Sequence, residues 1–417
     1  MKENQKYEVK EKVTNTFLKT VSAFANFGGG TIQFGIADDG NIVGVKKAEE
    51  ACLDIENRIN DSISPVPPYS LSIDQDTQVI TLTIREGIFK PYLYKAKAYK
   101  RNDTATIEVD RIELNRLILE GENRSYDELP SAKQDLAFTV LEEKMKEILH
   151  IGTLNQDILK TIGVIGADGK YNHAGALLAD KNQFSGIDCV RFGKTIDIIM
   201  DRETFDHRSV LCQYDDAISL YMKYYQYDVI EGAIRKTVEK IPEKAFRETI
   251  ANALVHRTWD VNAQIRVAMY DDRIEVSSPG GLPSGITEQE YLEGQVSVLR
   301  NPILAGVFFR LHIIESFGTG IRRIREAYKD SDAKPVHMFS PNAITVTLPV
   351  IRSAHALSAE EKVIYDCLDE IGKPSSEIVR LSGYGKNKTL RILADLEQTG
   401  YVKKSGNGRG TKYSIQR

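Results

Sequence analysis

Two polar side chains one helical turn apart raise the first question of chemistry. In AFRETIANALVHR (245–257), Glu248 and Asn252 lie four residues apart, which places both on one face of a helix. A carboxylate there can orient or deprotonate water, and an amide oxygen can ligate Mg²⁺. A hairpin follows, QIRVAMYDDRIEVSS, turning at Asp271-Asp272 and running into the glycine loop PGGLPSG (279–285). Farther on, ESFGTGIRRIREAY (315–328) is a glycine turn opening a helix, and backbone N–H groups at a helix start suit phosphate. His256-Arg257 either meets phosphates or complements the negative end of its own helix. Trp259 reads as core, and Asp271 and Asp272 as turn residues. Each piece alone has a plain reading: a Glu/Asn pair is usually a solvated face, and a GTG turn a tight connection. Their order carries the signal.

Other chemistries are absent from the pattern. Cys52, Cys189, Cys212 and Cys367 form no CxxC pair, so neither a zinc site nor a disulfide framework is expected. A P-loop needs GxxxxGK[ST]. FGKT (192–195) has Asp188 where the first glycine belongs, and GYGKNKT (383–389) fails as well. A helicase motor is therefore not expected. No apolar run approaches a membrane span, and the N-terminus has no apolar signal core, so a reduced cytoplasmic setting without structural metal is the expectation.

The elements that must position these groups fall into three parts within 417 residues. Residues 1–122 read as α+β. A helix over 13–26 carries Val13, Phe17, Val21 and Phe24 and stops at Gly28-Gly29-Gly30. TIQFGIA then reads as a strand, DDGN (38–41) as a turn, and IVGV as a returning strand. A helix over 51–63, two further hairpins and a helix started by Asp110 follow. Residues 123–133 read as a polar linker, 134–352 as a mixed central domain, and 357–417 as a short basic one. Net charge is -4, yet Gly372–Arg417 holds ten Lys/Arg against three Asp/Glu. That asymmetry points to a C-terminal segment that meets phosphate.

The central order (helix with E-x-x-x-N, hairpin, PGG loop, RNP, GTG helix) resembles the divergent ATPase-like domain of the GHKL superfamily. The nearest variant is that of regulators loosely called RecG-related. The resemblance implies an α/β sandwich that binds ATP with Mg²⁺. It makes Glu248 the water-activating carboxylate and Asn252 the Mg²⁺ ligand. Gly280 and Gly281 match the first glycine box, and Gly318, Thr319 and Gly320 the second, which covers the phosphates. One position departs: Ser278 stands where the first box carries the Asp that accepts the adenine amino group. The implied activity is weak ATP turnover, or nucleotide sensing or dimerisation without turnover.

YEVKE followed by LKTVSAFANFGGGTIQFGIADDGNIVGV (18–45) resembles the AlbA_2 domain of bacterial regulators and Schlafen proteins. This resemblance implies nucleic-acid binding over residues 1–122. Lys10, Lys12, Lys19, Lys95, Lys97, Lys100 and Arg101 either track phosphates or form a solvated face. Tyr92, Tyr94 and Tyr99 either stack on bases or line a strand. Some Schlafen members cut RNA with three carboxylates, a pattern that maps to Glu3, Glu8 and Asp38 here.

The C-terminal part reads as a first helix over 358–372 capped by Ser358, a second over 374–383, a third over 387–400, and a basic hairpin. That is winged helix-turn-helix order. Lys386, Asn387, Lys388 and Arg391 head the third helix, and Lys403, Lys404, Arg409 and Lys412 populate the hairpin. The leading expectation is a DNA-binding, homodimeric transcription regulator with a nucleotide-sensing or dimerising centre, for which RNA is a second ligand. Its rivals are an ATP-gated, metal-dependent nuclease acting in defence and a non-catalytic interaction scaffold.

Overall fold

The computed structural model describes residues 3–231, 234–283, 285–294, 298–315, 318–351, 358–398, 400–406 and 408–415. The fold is α+β and divides into two compact units, Met1–Val350 and Ile351–Arg417.

In the first unit, strands β1 (Tyr7–Lys10), β2 (Gly30–Phe34), β3 (Tyr69–Ile73) and β4 (Ile80–Ile84) form a sheet of order β1-β2-β4-β3. β1 runs parallel to β2, and the other pairs are antiparallel. Helices α1 (Phe17–Asn26) and α2 (Ala48–Ser62) cover it. Phe17, Val21 and Phe24 are fully buried in one cluster with Ile32, Phe34, Ile80 and Leu82, as their helical spacing requires. α1 begins at Phe17, three residues after Thr14, whose carbonyl accepts the Phe17 N–H.

The returning strand expected at IVGV is not formed. One bridge joins Ile36 to Ile42, and Ile42 and Val43 are exposed. The Gly35 carbonyl accepts from both Val43 and Gly44, and Val45 donates to Gln78. Gly35 (φ +93) and Gly44 (φ +69) let backbone meet backbone; a Cβ on Gly44 would sit 2.6 Å from the Thr77 carbonyl oxygen. The segment folds back on itself instead of extending.

Helix α3 (Arg111–Gly121) starts at Asp110, whose side chain accepts from Glu113 N–H in a reciprocal capping box. Residues 123–133, polar by composition, are exposed at both ends and packed in the middle. Asp127 is fully buried, and its carboxylate accepts from the Ser125 hydroxyl at 2.6 Å and Leu304 N–H at 3.0 Å. Tyr126 stacks on His173 with centroids 4.4 Å apart.

The central sheet contains β5 (Ile187–Phe192), β6 (Ile199–Phe205), β7 (Ile265–Met269), β8 (Arg273–Pro279), β9 (Val336–Ser340) and β10 (Ala343–Pro349). Its order is β6-β5-β7-β8-β10-β9, with β5 and β7 parallel and the rest antiparallel. Helices α4 (Val210–Tyr225), α5 (Glu243–Val255), α6 (Glu288–Glu293), α7 (Pro302–Arg310) and α8 (Gly320–Ala327) accompany it. The Asp271-Asp272 hairpin forms as expected, between β7 and β8.

In the second unit, α9 (Ala359–Tyr365), β11 (Lys373–Pro374), α10 (Ser375–Ser382), α11 (Lys386–Gln398), β12 (Val402–Ser405) and β13 (Lys412–Ile415) surround a core of Ile364, Ile378, Leu393, Leu396 and Val402. Ser358 caps α9 as expected, with Glu361 completing the box. α9 is shorter than its expected span of 358–372. The Asp369 carboxylate takes the N–H groups of Ile371 and Gly372, and Gly372 adopts φ +91. That local turn competes with helix continuation. Leu357, where this part was expected to begin, lies outside the described residues.

Candidate nucleotide cleft and nucleic-acid interface

Two adjoining hollows, about 460 and 610 Å³ including their open mouths, lie between α5, α8, α6 and the β8, β10 and β9 strands of the sheet. Asn252, His256, Tyr291, Ile321 and Ile344 line both. Ser278 and Gly280 line the first, and Gly318 and Gly320 the second. The structure therefore brings together Asn252, Ser278, Gly280, Gly318 and Gly320, which are more than sixty residues apart at their extremes.

Three expected members stand elsewhere. Glu248 lines neither hollow and is 7% exposed. A Cβ on Gly320 would lie 2.5 Å from Glu248 Oε1 and 2.7 Å from Asn252 Nδ2, so the start of α8 rests directly on this pair. Burial pushes the Glu248 carboxyl up, and the Arg323 charge opposes that. Gly281 packs against the Pro341 carbonyl rather than facing the cleft. Thr319 sits at the N-cap of α8 and makes no side-chain cap.

Polar groups in the cleft are largely engaged. Asn252 Nδ2 donates to Glu248 Oε1 at 3.4 Å, which leaves its amide oxygen free of that bond. The Ser278 hydroxyl donates to the Ala253 carbonyl at 2.9 Å, so it offers a ligand acceptor lone pairs but no carboxylate. Burial, reinforced by Arg300, depresses His256 to about 4, and burial with Arg325 does the same to His337. Both imidazoles are neutral at pH 7.

Arg257 turns away from the cleft and serves neither of its expected roles. Its guanidinium is buried over the Trp259 ring, 4.1 Å from the centroid, and donates to the Ser185 and Ala263 carbonyls. Trp259 itself is core, donating to Leu254 O at 3.1 Å. The sequence order included RNP but assigned no role to Arg300 or Asn301. Asn301 donates to the Val255 and Arg257 carbonyls, and Arg300 to the His256 carbonyl, so the pair closes the C-terminal end of α5. The signal was the polar pair directly before Pro302, at the start of a helix.

The N-terminal carboxylates are not gathered. Glu8 is 4% exposed and accepts from the Thr20 hydroxyl at 2.8 Å and Arg101 at 2.6 Å, with Lys10 at 2.7 Å. Glu3 accepts from Val9 N–H, and Asp38 lies exposed beyond β2. Among the described residues no three His, Cys, Asp or Glu side chains are placed to hold a metal ion. Nearby cations are also occupied: Lys97 pairs with Glu108 at 2.7 Å and Lys100 with Glu113 at 2.5 Å. Lys12 reaches Glu11 at 3.5 Å, while Lys19 and Lys95 lie over Tyr99 and Tyr94. Tyr92, Tyr94 and Tyr99 are buried in the core, which favours the packing alternative over base stacking.

In the second unit Lys386, Asn387 and Arg391 are exposed at the head of α11, as are Lys403 and Lys404 on β12 and Lys412 on β13. Lys388 pairs with Glu360 at 2.7 Å and lies over Tyr384. The side chain of Arg409 lies outside the described residues.

Comparison with known proteins adds the following. Residues 3–110 match the Schlafen, AlbA_2 family. Residues 262–348 match the family described as putative ATP-dependent DNA helicase recG C-terminal. The second match begins after the helix of Glu248 and Asn252, and neither match reaches the second unit. The DIP2311 protein of Corynebacterium diphtheriae is similar at 19% identity over 99% of this chain and 92% of that one, with a TM-score of 0.48. The N-terminal domain of a putative ATP-dependent DNA helicase RecG-related protein from Nitrosomonas europaea is similar at 20% identity over 27% of this chain and 85% of that one, with a TM-score of 0.21. No curated protein matches the chain. Among the described residues no helix is long and apolar enough to cross a membrane.

Proposed function

We propose that this chain is a nucleic-acid-binding regulator whose second unit is a winged helix-turn-helix that holds DNA. The observation that carries the reading is a contrast in charge pairing. The lysines and arginine of the AlbA_2 region are mostly spent on carboxylates or rings, whereas Lys386, Arg391, Lys403, Lys404 and Lys412 are exposed at the head of a helix and along a hairpin. A cation already paired with a carboxylate contributes little to counterion release on binding phosphate. Head-of-helix groups suit base edges and hairpin groups the flanking backbone.

The central cleft, in this reading, holds a nucleotide without turning it over efficiently. Glu248 lies beneath Gly320 and off the cleft wall, so it is poorly placed to activate water there. A Mg²⁺ arriving with the nucleotide would find the Asn252 amide oxygen, the atom that the bond to Glu248 leaves available. Nucleotide occupancy would act as a signal, in a homodimer that reads paired half-sites.

The test is a native gel series on the full chain with labelled duplex DNA, single-stranded DNA and tRNA, each with Mg²⁺ and with or without ATP. Retarded, intact duplex whose binding falls steeply with salt supports the reading. Shortened strands, or binding that survives neutralisation of Lys386 and Arg391, count against it.

A further inference from the structure

Arg300 stands directly before the Asn-Pro start of α7 and lines the second hollow with Asn252, His256, Gly318 and Gly320. Nη1 donates to the His256 carbonyl at 2.9 Å and Nη2 to the Gly281 carbonyl at 2.8 Å. A guanidinium carries five N–H donors, so these two bonds leave three. Among the described residues no carboxylate pairs with Arg300. Asp260, whose charge reaches it, is gripped by Arg116 through two bonds of 2.8 and 3.0 Å. The His256 carbonyl closes α5, and the partial negative charge of a helix end offsets part of a cation but not the whole. A charge withdrawn from water without a counter-ion is costly.

The loop is shaped around this group. Gly280 adopts φ +108, and a Cβ there would come within 2.7 Å of Arg300 Nη1 and overlap the Thr258 hydroxyl. The first glycine of the PGG loop thus gives room to a guanidinium of this chain. Gly318 and Gly320 line the same hollow and add no side chains to its wall.

We propose that Arg300 is the anion-binding residue of the second hollow and takes an oligophosphate, either the phosphate chain of a nucleotide or free inorganic triphosphate. The proposal rests on the nucleotide reading of the cleft and names the group that holds the charged end. Arg300 supplies a planar fork where bidentate phosphate recognition is possible, and the carbonyls of His256 and Gly281 hold that fork in place.

Calorimetry on the full chain with ATP, inorganic triphosphate and adenosine tests it, comparing wild type with Arg300→Gln. The expected result is a loss of about tenfold or more in affinity for ATP and triphosphate, with adenosine unchanged. Equal triphosphate affinity in wild type and variant overturns the proposal. So does a wild type that binds adenosine but not triphosphate, which leaves the cleft a nucleoside site. A wild type that binds none of the three sinks the nucleotide reading as well. A second measurement needs no variant: modification by phenylglyoxal, mapped on wild type, must be slowed at Arg300 by triphosphate. Unprotected modification there overturns the assignment even if the Gln variant fails to fold.

Discussion

Arg116 on α3 grips Asp260, beyond the end of α5, with two near-parallel bonds, Nε to Oδ2 at 2.8 Å and Nη2 to Oδ1 at 3.0 Å. The fork ties the last helix of the N-terminal region to the loop behind the cleft, across 144 residues of sequence. Such bidentate pairs fix geometry as well as contributing energy. With Arg116 42% exposed, solvent screens the pair, and a double-mutant cycle of Arg116→Ala and Asp260→Asn should return a coupling of about 1 kcal/mol or less. That coupling should shrink in high salt. Urea melts of the four proteins give the value.

Asp127 carries a pH signature. Burial raises its carboxyl from 3.8 to about 6, against the hydrogen bonds from Ser125 and Leu304. The folded state therefore holds this proton more tightly than the unfolded chain does. Stability from this group is fully present below about pH 4 and is lost as pH rises to about 6, by about 3 kcal/mol at most. Asp127→Asn keeps an acceptor for Leu304 N–H and should flatten this slope in melts between pH 4 and 7. Asp127→Ala, which removes the acceptor, should cost about 1–2 kcal/mol at pH 4.

Glu8 and Asp38 behave differently from one another. Glu8 neutralises Arg101, and both side chains are nearly inaccessible, at 6% and 5%. Glu8→Ala leaves a buried guanidinium unpaired and should destabilise the protein by about 3–5 kcal/mol. Lost function in that variant would report unfolding rather than lost metal. Asp38 is exposed, so Asp38→Ala should leave the melt unchanged within about 0.5 kcal/mol. A metal-dependent nuclease activity that vanishes in a fully folded Asp38→Ala protein would reinstate the catalytic reading.

Gly320 leaves no room for a side chain. Gly320→Ala places a methyl against Glu248 and Asn252, and overpacking there should cost about 1–3 kcal/mol. Glu248→Gln should leave phosphate release from ATP at the wild-type level, because Glu248 lines neither hollow. A hydrolysis rate that collapses in this variant would show that the start of α8 moves aside during turnover.

Lys386 and Arg391 are exposed on α11 and separable from its core residues Leu393 and Leu396. Changing both to Ala should leave the melt intact. It should weaken duplex binding and lower the slope of log K against log salt by about two. Titrations at several salt concentrations measure that slope.

Local features were readable from the chain alone. The capping boxes of Asp110 and Ser358, the Asp271-Asp272 hairpin and the apolar stripe of α1 depend on neighbours within a few residues. Their hydrogen bonds close over short loops, so residue type and spacing suffice to foretell them. The glycine-rich motifs likewise marked both regions that match known families. Only the tertiary structure decided who meets whom. Glu8 finds Arg101 across 93 residues, Asp127 finds the start of α7 across 177, and Arg300 finds the end of α5 across 44. Each of these groups is a charged residue of ordinary type in its own segment. Its role comes from the desolvation and pairing that distant parts of the chain impose, and no local period records those.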